Sequence, residues 1–281
     1  MCKPKLTYCA EQIRRFDNDR FLCTLFAPTA EREALAAVFA FNVEVARIRE
    51  SVVERLLGEI RLQWWRDAIE GIYSGRPSSH QVVVELNQAV RAFGLSRAHF
   101  ERVLDARAFD LDDAPPPDLA TLVDYADATS ATLSALSLEV LGADGDGVRH
   151  AARDVGIAWA LVGLVRAVPF HARARRLSLP AELNRRAGLD VLELFDRGGT
   201  EGLSSVVGTI AETADDYLSS ARSLRGEVPE RALPALLPAT LAEGYLRQLH
   251  KCGFDPFDAR VQTGRPLRHL RIGYNRLRGR Y

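Results

Sequence analysis

Lysine is almost missing from this chain: all but three of its 37 basic residues are arginine. Alanine is abundant, and both biases are read as genome base composition with little functional content. Net charge is absent too, since 37 acidic residues balance the 37 basic ones. That balance excludes a global field for nucleic acid or an acidic substrate, and no nucleic-acid partner is expected. Cysteine is sparse, and Cys2, Cys9, Cys23 and Cys252 form no C-x-x-C pair. A structural zinc site of usual spacing is thereby excluded, and the four are read as packing residues in a reducing compartment.

Long apolar runs are also lacking. The N-terminus reaches Glu11 and Arg14 without one, so no signal peptide is expected, and it is not the acid-poor, Ser-rich stretch of a transit peptide. The longest wholly apolar stretch, Val155 to Val165, falls short of the roughly 20 residues that span a bilayer. A cytoplasmic protein is expected, with any membrane contact peripheral at the inner face. There is no G-x-S-x-G, no internal repeat and no low-complexity tract. Alternating β-branched runs are missing as well, and the fold class is read as all-α, one helical-bundle domain over residues 1–281.

What is present is helical periodicity punctuated by Pro and Gly. Pro28-Thr29 opens a helix with Glu31 and Glu33 in its first turn and Arg47 and Arg49 in its last, charges that suit the dipole at each end. From Leu35 to Ala46 it is apolar nearly all round, which belongs in the middle of a bundle. A second helix runs from about Val52 to Tyr73, and Ser79 and Ser96 are expected to cap the next two. Asp118 is expected to cap a helix from Leu119 to Leu141 closed by Gly142, and Asp146 to open one that Pro169 stops at Val168. Gly156 and Gly163 share a face of that helix, permitting close packing or leaving room for a ligand. Short helices follow near Ala181–Ala187 and Val191–Arg197, then long ones over Leu203–Leu224 and Glu230–Cys252. The last segment, Pro266 to Leu277, sets Leu267, Leu270, Tyr274 and Leu277 on one side.

Two stretches carry a family likeness. Phe39-Ala40-Phe41 leads toward Glu50 and is followed by Trp65-Arg66, while Gly156, Ala158, Arg166, Arg176, Leu179 and Pro180 fall in register further on. With Tyr125, Thr129 and Leu141-Gly142 between them, the chain resembles the squalene/phytoene synthase family along essentially its whole length. The resemblance implies the isoprenoid synthase fold and, for the enzymes, head-to-head joining of prenyl diphosphates. In those enzymes magnesium neutralises the departing diphosphate and carboxylates hold the metal. Carboxylates four positions apart share a helix face, so one pair on each of two facing helices makes the cage. Here the first pair falls on Ala46 and Glu50, with Arg47 adjacent, and the second on Ala167 and His171. Three of the four carboxylates are missing. No metal and no cofactor are therefore expected, and Ala46 and Ala167 mark vacated ligand positions.

Arg166-Ala167-Val168-Pro169-Phe170-His171 and Phe254-Asp255-Pro256-Phe257 resemble runs of the complex I assembly factor 6 branch of the family, which lacks the aspartate motifs. That likeness implies a role in assembling respiratory NADH dehydrogenase, with complex I subunits or other assembly proteins as partners and a prenyl or lipid-like ligand in the cavity. An active prenyl transferase using farnesyl or geranylgeranyl diphosphate is the alternative.

Arginine forks bind phosphate without metal, so Arg47, Glu50, Arg166, His171 and Arg176 are the candidate anion or ligand residues. The plainer reading is service to a helix C-terminus for Arg47 and Arg49 and a solvated loop after Pro169 for the others; it is preferred for Arg173 and Arg175, while for Arg166 and His171 both readings stand. The resemblance makes Phe41, Trp65, Tyr125, Trp159 and Gly163 candidate cavity-lining residues, against a plain core role for Trp64, Trp65 and Trp159. Asp124 and Asp127, and the group Asp110, Asp112 and Asp113, are read as exposed helix-end acids. The Arg-rich C-terminal segment is expected to pack its apolar stripe onto the bundle, its arginines free to attract phospholipid.

Overall fold

The computed structural model describes residues 6–52, 54–263 and 267–281. Cys2 and the expected helix start at Pro266 lie outside the described residues. Among the described residues every regular element is helical, as the periodicity requires. In chain order they are α1 (Tyr8–Phe16), α2 (Asn18–Thr24), α3 (Thr29–Ala46), α4 (Ile48–Ser51), α5 (Arg55–Tyr73) and α6 (Gln81–Phe93). Then come α7 (Arg97–Arg107), α8 (Leu119–Ala126), α9 (Thr132–Leu141), α10 (Asp146–Arg173), α11 (Ala181–Arg186) and α12 (Val191–Arg197). The series ends with α13 (Leu203–Ser223), α14 (Leu233–Leu236), α15 (Pro238–Lys251), α16 (Ala259–Gln262) and α17 (Arg268–Leu277).

The apolar helices are central. α3 is buried without a break from Ala34 to Val43, and α10 packs against α9, α13 and α15. By length and composition α10 could cross a membrane, but 56% of its most apolar window is buried inside the bundle, as in a core helix. Asp118 caps α8 by accepting from the Thr121 amide at 2.8 Å, and Gly142 ends α9 in the left-handed region at φ 59°. Between α8 and α9 one π turn, Asp127–Ala131, bulges toward α10. There Gly156 is required: a Cβ on it would stand 2.5 Å from Ala131 Cα.

Several boundaries differ from expectation. The chain breaks at Arg47, so Arg49 belongs to the short α4 rather than to α3, and α5 starts at Arg55 because Val52 is extended. Ser79 does not cap α6, which follows His80. Ser96 precedes α7, but its hydroxyl donates to Glu139 at 2.5 Å instead of capping. Pro169 does not stop α10. A proline forfeits one backbone bond, while Val168, Pro169 and Ala172 remain buried, and that packing carries the helix one more turn to include His171. The stretch Glu230–Cys252 is divided, with Pro234 and Pro238 at the starts of α14 and α15, where a missing N–H costs nothing.

The C-terminal helix reverses its expected orientation. Ile272 is the residue it buries, while Leu267, Leu270, Tyr274 and Leu277 face solvent. Its polar side has the better partners in the bundle. Arg268 pairs with Asp19 at 3.1 Å, Arg271 with Glu243, and Asn275 donates to Thr240 at 2.8 Å. Beyond the helix, Tyr281 is buried and its hydroxyl donates to the Ala221 carbonyl at 2.7 Å.

Candidate functional site

One cleft of about 200 Å³ opens where the α3–α4 break, α8, the turn after α7 and the last turns of α10 meet. It is lined by Ala46 and Glu50 from one side and by Ala167 and His171 from α10, together with Arg107, Asp110, Tyr125, Arg176 and Ser178. The four positions matched by register to metal ligands thus share one cleft. The extra turn beyond Pro169 is what brings His171 to it.

The chemistry of that cleft is arginine against carboxylate. Asp110 accepts from Arg107 at 3.0 Å and from the Tyr125 hydroxyl at 2.6 Å. Arg107 donates further to that hydroxyl at 2.6 Å and to Asn42 at 3.0 Å, closing a buried network. Glu50 pairs with Arg47 at 3.6 Å, Asp112 with Arg55, and Asp113 with Arg49 at 2.8 Å. Of the acids expected to be exposed, Asp113 is, with an 85% exposed side chain, but Asp110 turns into the cleft. Magnesium needs several oxygen ligands in near-octahedral array. Ala46 and Ala167 offer methyl groups, the acids are engaged by arginines, and no group of three or more His, Cys, Asp or Glu among the described residues is arranged for a metal. These residues do not fit a polynuclear magnesium site.

Beside these acids the cleft presents Arg176 and His171. Arg176 donates to the Asp110 carbonyl at 2.9 Å. Burial and then the neighbouring Arg49 lower its pKa, against the pull of Asp110, Asp113 and Glu50. His171 shares a hydrogen bond between Nδ1 and the Ser178 hydroxyl at 2.8 Å. Burial first, then Arg176, hold its pKa below the ordinary 6.5, with Asp110 opposing. The imidazole is therefore neutral at pH 7. Tyr125 is kept protonated far past its ordinary range by burial, reinforced by Asp110 and opposed by Arg107.

The other candidates go elsewhere. Arg47 stacks on Phe16 at 4.0 Å and Arg166 on Tyr245 at 3.6 Å, and neither lines the cleft. Phe41 and Trp65 close an aromatic core, Phe41 meeting both Trp65 and Phe100 at 5.3 Å between ring centroids. Trp64, read as core, is 41% exposed. Trp159 borders a crevice of about 10 Å³ shared with Arg20 and Phe39. Gly163 faces open space, with nothing within 4 Å of a Cβ placed on it. Of the five cavity-lining candidates, Tyr125 alone lines the cleft.

Sequence reasoning missed Arg107, Ser178 and Arg20. Arg20 is 9% exposed, pairs with Asp17 at 3.0 Å and donates to the buried Ser130 hydroxyl at 2.9 Å. Both Asp17/Arg20 and Arg107/Asp110 are spaced three apart, a helical pairing visible in sequence. Their burial is not visible there.

Comparison with known proteins places this geometry. The chain is 33% identical over 274 residues to a Bos taurus protein named NADH dehydrogenase (ubiquinone) complex I, assembly factor 6, covering 98% of this chain and 82% of that one. It is 30% identical over 245 residues to a presqualene diphosphate synthase of Rhodopseudomonas palustris, covering 85% of each. A crystal structure of a dehydrosqualene synthase superposes with a TM-score of 0.80 at 18% identity, over 96% of this chain and 94% of that one, and shows the shared fold. The sequence model of the squalene/phytoene synthases matches residues 13–267. The isoprenoid synthase fold and that match together make this chain a member of the squalene/phytoene synthase family.

Proposed function

We propose that the chain is a non-catalytic member of its family that assists assembly of respiratory NADH:quinone oxidoreductase, complex I, together with its subunits or other assembly proteins. The observation that carries this reading is the pairing in the cleft. Ala46 and Ala167 stand where a magnesium cage would need acids, and Glu50, Asp110, Asp112 and Asp113 each have an arginine partner. Ionisation of an allylic diphosphate needs carboxylates free to hold metal. The likeness to an assembly factor over 98% of the chain points the same way. In this reading the cleft takes the polar head of a prenyl or lipid-like ligand directly, with Arg176 as cation and His171 as neutral hydrogen-bonding group.

Active prenyl transfer is the second reading, favoured by the identity to a presqualene diphosphate synthase. Two experiments separate them. Purified chain incubated with magnesium and farnesyl or geranylgeranyl diphosphate is expected to release no pyrophosphate. Release that is abolished by Arg176→Ala supports the transferase instead. A deletion strain is expected to lose complex I and to regain it with the wild-type chain; normal complex I in that strain removes the assembly role.

A further inference from the structure

The solvent side of α17 takes no part in the cleft. Leu267, Leu270, Tyr274 and Leu277 are 63, 59, 54 and 88% exposed; the spacing of four and three sets Leu270, Tyr274 and Leu277 in one row along the helix, and Leu267 extends the apolar surface just before its first turn. On the opposite side Ile272 is fully buried. Single exposed apolar residues are ordinary, whereas a contiguous row signals an interaction face.

The segment that carries the row has charge of one sign. From Ala259 to Tyr281 the chain has seven arginines and His269 and no acid. Arg268, Arg271 and Arg276 are matched by Asp19, Glu243 and Glu230 of the bundle. Arg278 and Arg280 are exposed and have no acidic partner among the described residues. Arg278 lies 5.2 Å from the Tyr274 ring, which holds its charge beside the row.

We propose that this face docks on an anionic phospholipid bilayer. The helix lies in the interfacial plane, with Leu270, Tyr274 and Leu277 entering the acyl boundary and Arg278 and Arg280 on headgroup phosphates. Leucine supplies apolar area, the tyrosine ring suits a layer that is apolar on one side and wet on the other, and the long arginine stems at the C-terminal end of the helix reach the headgroups. The anionic surface complements the unmatched arginines, which a neutral surface does not. The contact is separate from the assembly reading and does not need it.

Flotation of the full chain with vesicles tests this. The wild-type chain is expected to float with phosphatidylcholine–phosphatidylglycerol vesicles, to stay behind with phosphatidylcholine alone, and to be released by added salt. The double variant Leu270→Asp, Leu277→Asp is expected to lose about tenfold or more in vesicle binding. Arg278→Ala and Arg280→Ala are each expected to lose about fivefold. All four side chains are exposed, so circular dichroism and Tm are expected to match wild type and to separate a lost contact from a lost fold. The proposal is overturned if the wild-type chain ignores both vesicle types, or if the double variant floats as wild type does. It is overturned equally if the row instead mediates a dimer that the double variant disrupts while vesicles stay unbound.

Discussion

The Arg166 guanidinium lies 3.6 Å from the centroid of the Tyr245 ring, and the Tyr245 hydroxyl donates to Asp19 at 2.6 Å. α10, α15 and α2 are thereby joined through one ring, and Arg166 is held away from the cleft that His171 lines. Arg166→Ala is expected to cost about 1–2 kcal/mol of stability, the scale of a partly desolvated cation–π contact. A double-mutant cycle with Tyr245→Leu should return a coupling of about 1 kcal/mol by urea denaturation. Simple additivity of the two substitutions would show that the stacking contributes nothing.

Alkaline stability follows from the same ring. Burial, reinforced by Asp19, pushes the Tyr245 pKa up from 10.0 to about 12. The unfolded chain releases this proton first, so the stabilisation is complete below pH 10 and is lost as pH rises toward 12. Burial raises Tyr73 and Tyr125 in the same direction, steepening the loss. Tyr245→Phe is expected to make the decline in folding free energy shallower over that interval, and an unchanged slope would refute it.

His171 gives the opposite sign in acid. Its folded pKa is below 6.5 through burial and Arg176, so the unfolded chain binds the proton first. Its contribution is complete above pH 6.5 and is lost as pH falls through the folded value. In His171→Asn the fall of stability just below pH 6.5 is expected to flatten, by at most one proton's slope. Denaturant titrations across that interval check this, and a profile as steep as wild type would count against it.

Gly156 and Gly163 of α10 are expected to respond in opposite directions to alanine. At Gly163 the added methyl meets open space, so the gain in helix propensity and the narrower unfolded ensemble should stabilise by about 0.5–1 kcal/mol. At Gly156 it meets the Ala131 backbone at 2.5 Å and 2.8 Å, an overpacking that costs about 1–3 kcal/mol or more. Thermal unfolding of the two variants tests the pair, and a common sign would mean that the face of α10 is packed otherwise.

What the sequence made legible is what local chemistry decides. Asp118 as a cap, Gly142 as a left-handed stop and the all-apolar α3 needed no knowledge of the rest of the chain. Pro169 misled because its local cost is offset by burial against other helices. On α17 the periodicity showed which residues share a face, but Asp19, Glu243 and Thr240, far away in the chain, decide which face turns inward. In the cleft, register along the family likeness was enough to bring Ala46, Glu50, Ala167 and His171 together. Asp110 was misread because acids before a proline run are usually solvated, and the Arg107 and Tyr125 that turn it inward come from α7 and α8.

Because α17 is held by Ile272 in its middle, by Arg268 at its start and by Tyr281 beyond its end, it shares the orientation of the bundle instead of swinging on it. Any surface that captures the row from Leu270 to Leu277 therefore fixes the pose of the entire molecule. Rotation about the normal to that surface is then the main freedom left, and the mouth of the cleft stands at a set height and angle above it. A partner held on the same surface would then meet the cleft at one fixed inclination, with the search reduced from three dimensions to two.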